Sequence, residues 1–253
     1  MRITSAENKR LKEAKRLLEE REALILEGEK LVLEVLERKR GIIFLFIADD
    51  EDFSEVVKKA ENIGIEPIFM PRRLFKKISD LKTPPGVALI YEKPRWKERI
   101  TADYKALLLD RVQDPTNVGT ILRSAYSFGV NAVYLSEGCA SPWGEKVVRA
   151  SAGAVIRLPV FERQNLEKKL EEFTKREFKV LGAYPEGGFA PWGVDLTPPW
   201  VLVVGNESRG ISPELLRFIT TRVTIPMRKG ESLNVAVSTS IILYEFARQG
   251  AEK

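Results

Sequence analysis

The stretch Val201-Leu202-Val203-Val204-Gly205-Asn206-Glu207-Ser208-Arg209-Gly210 decides the fold. Its unbroken apolar run predicts a buried strand, which stops at a glycine and opens into a polar turn. A glycine at this point lets the backbone approach a ligand closely. The chain has no G-x-G-x-x-G sequence that opens a helix after a strand, and it has no P-loop pattern. The familiar nucleotide-binding folds therefore lose support.

Strands and helices alternate on both sides of this stretch, over the second half of the chain. Continuous Val, Ile and Leu strands separated by helices predict an α/β fold, in which a parallel sheet is covered on both faces. The predicted strands are 106–109, 132–135, 179–183, 201–204 and 223–225. The predicted helices are 119–128, 145–151, 165–175, 213–217 and 234–249.

The first half of the chain predicts a smaller α/β domain. It opens with an amphipathic helix over residues 6–22 and ends with a strand near Tyr91. The stretch Glu92-Lys93-Pro94-Arg95-Trp96-Lys97 is charged and carries a proline, as linkers do. We therefore expect a domain over residues 1–92, a linker over 93–102 and a second domain over 103–253.

Composition excludes several classes of protein and of site. The 253 residues are 44% hydrophobic and 30% charged, which is typical of a globular chain. A single cysteine, Cys139, excludes an intrachain disulfide. The absence of histidine argues against zinc sites and against Ser-His-Asp or Cys-His catalysis. We expect no metal site.

Charge and hydropathy predict the surroundings of the protein. The longest apolar run, Ile42 to Ala48, is seven residues long, whereas a membrane crossing needs about 20. The N-terminus becomes charged at once, unlike a secretory segment, so we expect a cytoplasmic protein. The net charge of +5 is compatible with a polyanionic partner.

Two further loops carry polar residues next to predicted strands. In the first, Asp110 to Gly119 leads into a helix that contains Arg123, and we place the helix start at Thr116 or Asn117. In the second, Thr224 to Ser238 runs from a strand end through a basic turn to a helix capped by Ser232 or Asn234. Each residue alone also fits a purely structural role, as a cap or a surface side chain.

Together, in this order and spacing, the three loops resemble the signature motifs of the SpoU (TrmH) family of RNA 2′-O-ribose methyltransferases, within the SPOUT superfamily. The matching residues are Asn117 and Arg123, then Gly205-Asn206-Glu207 with Gly210, then Ile225-Pro226-Met227 with Ser232-Leu233-Asn234-Val235. The departures are Ser208, where glycine is common, and Ser238, where alanine is common. The first half also resembles the small ribosomal-protein-like α/β sandwich that binds substrate in this family, although with weaker cues.

The resemblance implies a methyltransferase that uses S-adenosylmethionine, without a metal, in a parallel-sheet domain whose C-terminal segment forms a trefoil knot. It implies cofactor contacts from Gly205, Ile225, Met227 and Leu233. It implies a catalytic set of Asn117, Arg123, Glu207, Ser232 and Asn234. Arginine carries no acceptor lone pair, so the group that removes the proton stays open among Glu207, a phosphate oxygen, a water and a neutral arginine.

The expected partners are RNA and a second copy of the chain. Basic residues concentrated in the first domain are predicted to contact RNA phosphates; they are Lys9, Arg10, Lys12, Arg16, Arg72 and Arg73. Family members pair through the C-terminal region, and the last helix carries surplus apolar residues, so a homodimer is expected. The apolar residues are Val237, Ile241, Ile242 and Phe246.

The two-domain layout favours large-subunit ribosomal RNA as the substrate. Transfer RNA is the alternative within the same chemistry. Two other classes stay open: a non-catalytic RNA-binding or ribosome-assembly factor with the same fold, and an unrelated α/β enzyme that acts on a phosphorylated small molecule.

Overall fold

Two β-sheets organise the residues that the structure, a computed structural model, describes: 1–230 and 232–251. The chain divides between Arg95 and Trp96 into two compact units, each with its own sheet. The division lies within the stretch where the sequence predicts a linker.

The first unit is a mixed four-stranded sheet. Its strands, in sheet order, are β1 (Ala23–Glu27), β4 (Val87–Glu92), β2 (Ile42–Ala48) and β3 (Pro67–Met70). The β4 strand is antiparallel to both of its neighbours, and β2 is parallel to β3. Four helices accompany this sheet: α1 (Lys9–Glu19), α2 (Glu29–Leu36), α3 (Ser54–Glu61) and α4 (Arg72–Phe75).

Helices cover both faces of this first sheet. The apolar residues of α1 and α4 form one core with the inward side chains of one sheet face, such as Ile25, Phe46 and Ile90. The buried residues of α2 and α3 lie against the strands on the other side, because successive residues of a strand point to opposite faces. The α1 helix is shorter than predicted, since the Asn8 side chain caps it by accepting from the Arg10 N–H at 3.0 Å.

The second unit contains a six-stranded sheet that is fully parallel. The parallel arrangement agrees with the prediction, which contained five of the strands. Its strands, in sheet order, are β10 (Thr221–Val223), β8 (Lys179–Ala183), β9 (Trp200–Val204), β5 (Lys105–Leu109), β6 (Ala132–Ser136) and β7 (Val160–Gln164). Its helices are α5 (Pro115–Ser127), α6 (Glu145–Ala150), α7 (Leu166–Lys175), α8 (Pro213–Leu216) and α9 (Val235–Ala251). The central β9 strand is buried along its whole length.

Helices also cover both faces of the second sheet. The α7 and α8 helices share a core with one face, which includes Val201 and Val203. The α5, α6 and α9 helices lie on the other face, where the rings of Trp200 and Phe246 meet edge to face at 4.7 Å. Gly119 allows α5 to approach α6 closely, because an added Cβ would lie 2.5 Å from the Ala150 Cβ and 2.7 Å from the Val147 carbonyl oxygen.

Several elements differ between the prediction and the structure. The β7 strand was not predicted, because its sequence Val-Phe-Glu-Arg-Gln has little apolar character and it lies at the sheet edge. The β10 strand ends at Val223, earlier than predicted, since its pairing with β8 stops there. The sequence also predicts a helix near residues 71–79, of which α4 has only four residues.

The segment after the unit boundary is fastened to the second unit by a polar cluster. The Tyr134 hydroxyl donates to the Glu98 carboxylate. The Tyr104 hydroxyl oxygen lies 2.9 Å from the Tyr134 hydroxyl oxygen. The Lys169 ammonium donates to both Glu98 oxygens at 3.0 Å. Burial raises the pKa of Tyr104 to about 12, so both hydroxyls stay neutral donors at neutral pH.

None of the helices in the described part of the chain combines the length and the hydrophobicity that a membrane crossing requires.

We expect Gly119→Ala to destabilise the second unit by about 1–3 kcal/mol, because the added methyl group overlaps α6 and the packed helices must shift. Gly250→Ala is the matched control, since Gly250 is also helical and an added Cβ there meets nothing within 4 Å. The control should be neutral or slightly stabilising through helix propensity. Urea unfolding of both variants measures the difference, and equal stability of the two would contradict the close approach of α5 and α6.

Candidate active site

A cavity of about 410 Å³ lies beyond the carboxyl ends of β8 and β9, where parallel sheets bind ligands. Its wall combines the ends of those strands, the chain that follows β10, and the first turns of α9. Seven predicted site residues line it: Gly205, Glu207, Ile225, Met227, Ser232, Leu233 and Asn234. The structure thus brings two of the three predicted loops together around one space.

The turn after β9 requires its glycine. An added Cβ on Gly205 would lie 2.2 Å from the Gly210 carbonyl carbon, so no side chain fits between the two arms of the turn. Asn206 and Gly210 exchange two backbone hydrogen bonds of 3.0 Å. The turn can therefore fold back tightly while Gly205 contributes to the cavity wall.

The remaining predicted loop, Asp110 to Gly119, is connected to the cavity wall through side-chain hydrogen bonds. The Asn117 amide donates to Glu207 Oε1 at 2.9 Å, and the Asn234 amide donates to Asn117 Oδ1 at 3.0 Å. Asn117 itself does not line the cavity. One continuous chain of bonds therefore links α5, the β9 turn and the start of α9.

Glu207 is a carboxylate that accepts hydrogen bonds. Burial raises its pKa, but hydrogen bonds from the Asn117 amide and from backbone N–H groups outweigh burial, so the net pKa lies below the usual 4.5. The N–H groups of Gln113 and Asp114 each lie 3.5 Å from a Glu207 oxygen. The side chain therefore stays charged and braces the loops.

The start of α5 differs from the prediction. Asp114 is the cap, and its carboxylate accepts from the N–H groups of Thr116 and Asn117, which holds its pKa below the usual range. Pro115 occupies the first helical position, where its fixed φ suits a helix and its missing N–H costs nothing. Thr116 and Asn117 consequently lie inside the helix.

Because α5 begins at Pro115, Arg123 lies in the third turn of the helix. Its side chain is exposed and does not line the cavity. No hydrogen bond or ion pair engages it within the part of the chain that the structure describes.

The start of α9 agrees with one of the two predicted caps. The Asn234 Oδ1 accepts from the N–H groups of Ala236 and Val237 at 2.9 and 3.3 Å. Its amide remains free to donate to Asn117. Ser232 is exposed and lies at the cavity wall.

Asp110 and Asn206 hold the loops in place, although neither was among the predicted catalytic or cofactor-binding residues. Asp110 is almost fully buried and accepts from the Ser212 N–H at 2.7 Å and from the Ser212 hydroxyl. The Asn206 amide donates to the Arg111 carbonyl oxygen at 2.7 Å. A signal existed for Asp110, since an ionisable residue directly follows a buried strand.

The predicted RNA-contacting residues in the first unit are largely engaged within the fold. Arg10 pairs with Glu66 at 3.0 Å, and Lys12 and Arg16 pair with glutamates of their own segment. Arg72 contacts Asp50 at 2.9 Å, together with Glu51 and the Pro84 carbonyl oxygen. Arg73 lies 3.4 Å from the Thr4 carbonyl oxygen, and Lys9 is exposed. Their contact with RNA stays a prediction.

Among the described residues, no group of three or more Cys, Asp and Glu side chains is arranged to hold a metal ion.

Two family models match the chain. The SpoU rRNA Methylase family matches residues 105–244, and the family described as RNA 2′-O ribose methyltransferase substrate binding matches residues 25–97. The first match covers more than half of the chain. The chain belongs to the SpoU rRNA methylase family.

Similar proteins agree with this family. The 23S rRNA (guanosine(2553)-2′-O)-methyltransferase RlmP of Bacillus subtilis (strain 168) is 32% identical over 96% of this chain and 97% of its own. The AdoMet-bound rRNA methyltransferase from Sinorhizobium meliloti superposes with a TM-score of 0.79 at 26% identity, over 98% of both chains. A TrmH/SpoU tRNA modifying enzyme of A. aeolicus matches only 60% of this chain and 77% of its own, with a TM-score of 0.54 at 33% identity.

The predicted family, the enzyme class of RNA 2′-O-methyltransferase and the use of S-adenosylmethionine are thus confirmed. The roles of individual residues stay predictions.

We expect Glu207→Gln to destabilise the second unit, because the new amide places donors opposite N–H groups. Since folding lowers the Glu207 pKa, the stability from its charge is complete above about pH 4.5 and is lost as the pH falls through the folded-state pKa. The difference in unfolding free energy between wild type and variant should therefore stay constant at neutral pH and shrink in acid.

Glu137→Gln is the control, since Glu137 is exposed and its carboxylate makes no ion pair within the described residues. Unfolding in urea from pH 3 to 7 measures both variants. If the difference in unfolding free energy between wild type and Glu207→Gln stayed unchanged down to pH 3, the role of the Glu207 charge in holding the loops would be contradicted.

Proposed function

We propose that this protein transfers a methyl group from S-adenosylmethionine to the 2′-hydroxyl of a ribose in large-subunit ribosomal RNA. The observation that carries the proposal is the convergence of the predicted residues on one cavity and the bonds from Glu207 through Asn117 to Asn234. The Bacillus subtilis relative, whose name specifies 23S rRNA, supports the choice of RNA.

The cavity fits S-adenosylmethionine by size and by lining. A space of about 410 Å³ is within the range of small-molecule sites. Backbone groups of Gly205 and the side chains of Ile225, Met227 and Leu233 would hold the cofactor. When bound, the cofactor supplies an activated methyl group, so the protein's own task is to position the ribose hydroxyl and assist loss of its proton.

Of the groups considered for the proton, Glu207 is the weakest candidate. Both of its oxygens face N–H donors, and its pKa is lowered. Arg123 is exposed and has no acceptor lone pair, which suits it to hold a phosphate and to stabilise the developing oxyanion. A phosphate oxygen or a water then takes the proton. Ser232 and Asn234 would orient the ribose from the facing loop.

A trefoil knot at the C-terminus is part of the proposal. The segment between β8 and β9 contacts the C-terminal chain twice. Phe189 exchanges backbone hydrogen bonds of 2.9 Å with Arg222 and Thr224, and the Gln249 amide donates to the Pro191 carbonyl oxygen at 3.3 Å. These contacts involve C-terminal residues that come before and after the ones that line the cavity. They support a C-terminal chain that passes behind the segment between β8 and β9.

The first unit would bind the RNA. Its match to a substrate-binding family, over residues 25–97, and its layered sandwich of helices on a sheet support this role and its likeness to a ribosomal protein. We assign residues 1–92 to RNA binding, 93–102 to a linker and 103–253 to methyl transfer. A cytoplasmic location accords with a ribosomal substrate.

Transfer RNA is the second candidate substrate. The A. aeolicus enzyme that is named for tRNA matches only 60% of this chain, which favours ribosomal RNA. A non-catalytic role is disfavoured by the intact set of polar residues at the cavity.

We also propose a homodimer that forms through α9. Of the four apolar residues predicted for this contact, Ile242 and Phe246 are buried in their own unit, because they pack towards the cavity and against Trp200. Val237 and Ile241 remain exposed, at 47% and 40%, and Tyr244 joins them at 56%. Their spacing places them along one stripe of the helix, as a partner helix requires.

We expect wild-type protein to label unmodified large-subunit ribosomal RNA with methyl groups from labelled S-adenosylmethionine, at a ribose 2′-oxygen. Arg123→Ala should lose about 100-fold or more of the rate and still bind the cofactor, since Arg123 does not line the cavity. Arg176→Ala, which removes an exposed arginine paired with Glu172, is the control that should retain activity. Label in transfer RNA alone, or in neither RNA, would contradict the proposed substrate.

We expect Ile241→Glu to convert a dimer into a monomer, because a charge in an apolar contact is desolvated without a partner. Leu216→Glu is the matched control, since Leu216 on α8 is also 40% exposed and lies on the other face of the sheet. Light scattering after size exclusion measures the mass. A wild-type monomer, or dissociation by the control alone, would contradict the α9 interface.

A further inference from the structure

The tight turn after β9 presents an arginine at the edge of the cofactor cavity. The Asn206 side-chain oxygen accepts from the N–H groups of Ser208 and Arg209 at 3.0 and 3.1 Å, which fixes the backbone of the turn. Ser208 and Gly210 line the cavity, whereas the Arg209 side chain between them is exposed. Arg209 therefore stands at the mouth of the cavity, on a rigid support.

A second loop places two more cations at the same cavity. Met227 lines the cavity, and the next two residues, Arg228 and Lys229, are exposed. Met227 and Gly230, on either side of this pair, line an adjoining open hollow that shares Ile225 with the cavity. Both cations thus lie where the cavity opens. Arg209, Arg228 and Lys229 are called the rim cations below.

Within the described residues, the side chains of the rim cations form no hydrogen bond and no ion pair. The nearby Glu207 carboxylate accepts hydrogen bonds from the Asn117 amide and from backbone N–H groups instead. Arg217 on α8, by contrast, pairs with Glu167 at 2.7 Å and with Glu171 at 3.6 Å. Glu186 also lines the adjoining hollow, but the three cations outnumber it, so the charge at this opening favours an anionic ligand.

We propose that the rim cations form a phosphate-binding site that grips the RNA backbone next to the target ribose. This proposal rests on the proposed function, because a ribose whose 2′-hydroxyl reaches the cavity carries its own phosphates to the mouth. The rim cations supply affinity and register for the RNA, and they are distinct from Arg123, which lies on α5. They are positioning residues for the RNA and leave the cofactor untouched.

Three variants test the site: Arg209→Ala, the double variant Arg228→Ala with Lys229→Ala, and the triple combination. Arg217→Ala is the matched control, since it removes an exposed cation of the same unit that is already paired. Arg209→Lys keeps the charge without the fork of donors. Each protein is assayed for binding of S-adenosylmethionine by calorimetry, for KM and kcat with ribosomal RNA, and for RNA affinity over a series of salt concentrations.

We expect cofactor affinity to be unchanged throughout and KM for RNA to rise in the rim variants, with RNA affinity of the triple variant on the order of tenfold weaker. The slope of log affinity against log salt should fall by about 0.7 to 0.9 for each phosphate contact removed. Arg209→Lys should retain the wild-type slope, and Arg217→Ala should match wild type in all three assays.

The outcomes separate this proposal from the proposed function. A wild-type protein that methylates no RNA would overturn the proposed function, and the rim site with it. With an active wild type, an unchanged salt slope and KM in the triple variant would overturn the rim site alone. Loss of cofactor binding in any rim variant would also overturn it, since the cations would then belong to the cofactor site.

Discussion

The hydrogen bonds from Glu207 through Asn117 to Asn234 hold together three loops that are about 90 and 117 residues apart along the chain. Each loop follows a different strand, and none has a hydrophobic core of its own to fix it. Side-chain bonds of about 0.5 to 1.5 kcal/mol each, and more where a carboxylate accepts, are enough to select one arrangement when the strands have already placed the loops side by side. Two of these three loops line the cavity, and Asn117 ties the other loop to them.

Local features of the backbone position the residues that form these hydrogen bonds. The Asp114 cap and Pro115 fix the start of α5 and so present Asn117, while Gly205 lets the β9 turn fold back on itself without a side chain between its arms. Buried Asp110 ties the end of β5 to Ser212 beyond the same turn. Polar groups that would be costly if left unpaired are thereby satisfied by neighbouring loops, which makes the site rigid before any ligand binds.

The sequence predicts features that depend on neighbouring residues, and it does not predict features that depend on contacts between residues far apart along the chain. The strand that ends just before Gly205 and the Asn234 cap follow from local patterns, and the structure has them. The meeting of distant loops at one cavity follows from no local pattern and was implied only by the resemblance to the SpoU family. The pairing of Arg10 with Glu66 could not be anticipated, because it joins residues 56 apart that only the folded sheet brings together. The burial of Ile242 and Phe246 depends in the same way on where α9 packs, and β7 is defined by pairing with β6 more than by its own composition. The Asp114 cap was a local signal that was overlooked, since aspartate before proline is a common helix start.

The α9 helix connects the chemistry to the proposed assembly. Its first residue follows Asn234, which caps the helix and bonds Asn117, and its Ser238 and Ile242 form part of the cavity wall. A neighbouring stripe of the same helix exposes Val237, Ile241 and Tyr244 to solvent. A partner that packs on this stripe would restrain the same helix that closes the cavity, and the bond between Ser124 and Ser240 would pass that restraint to α5, the helix of Arg123. In the proposed dimer, the contact between subunits and the placement of Arg123 would therefore be coupled through a single element of the fold.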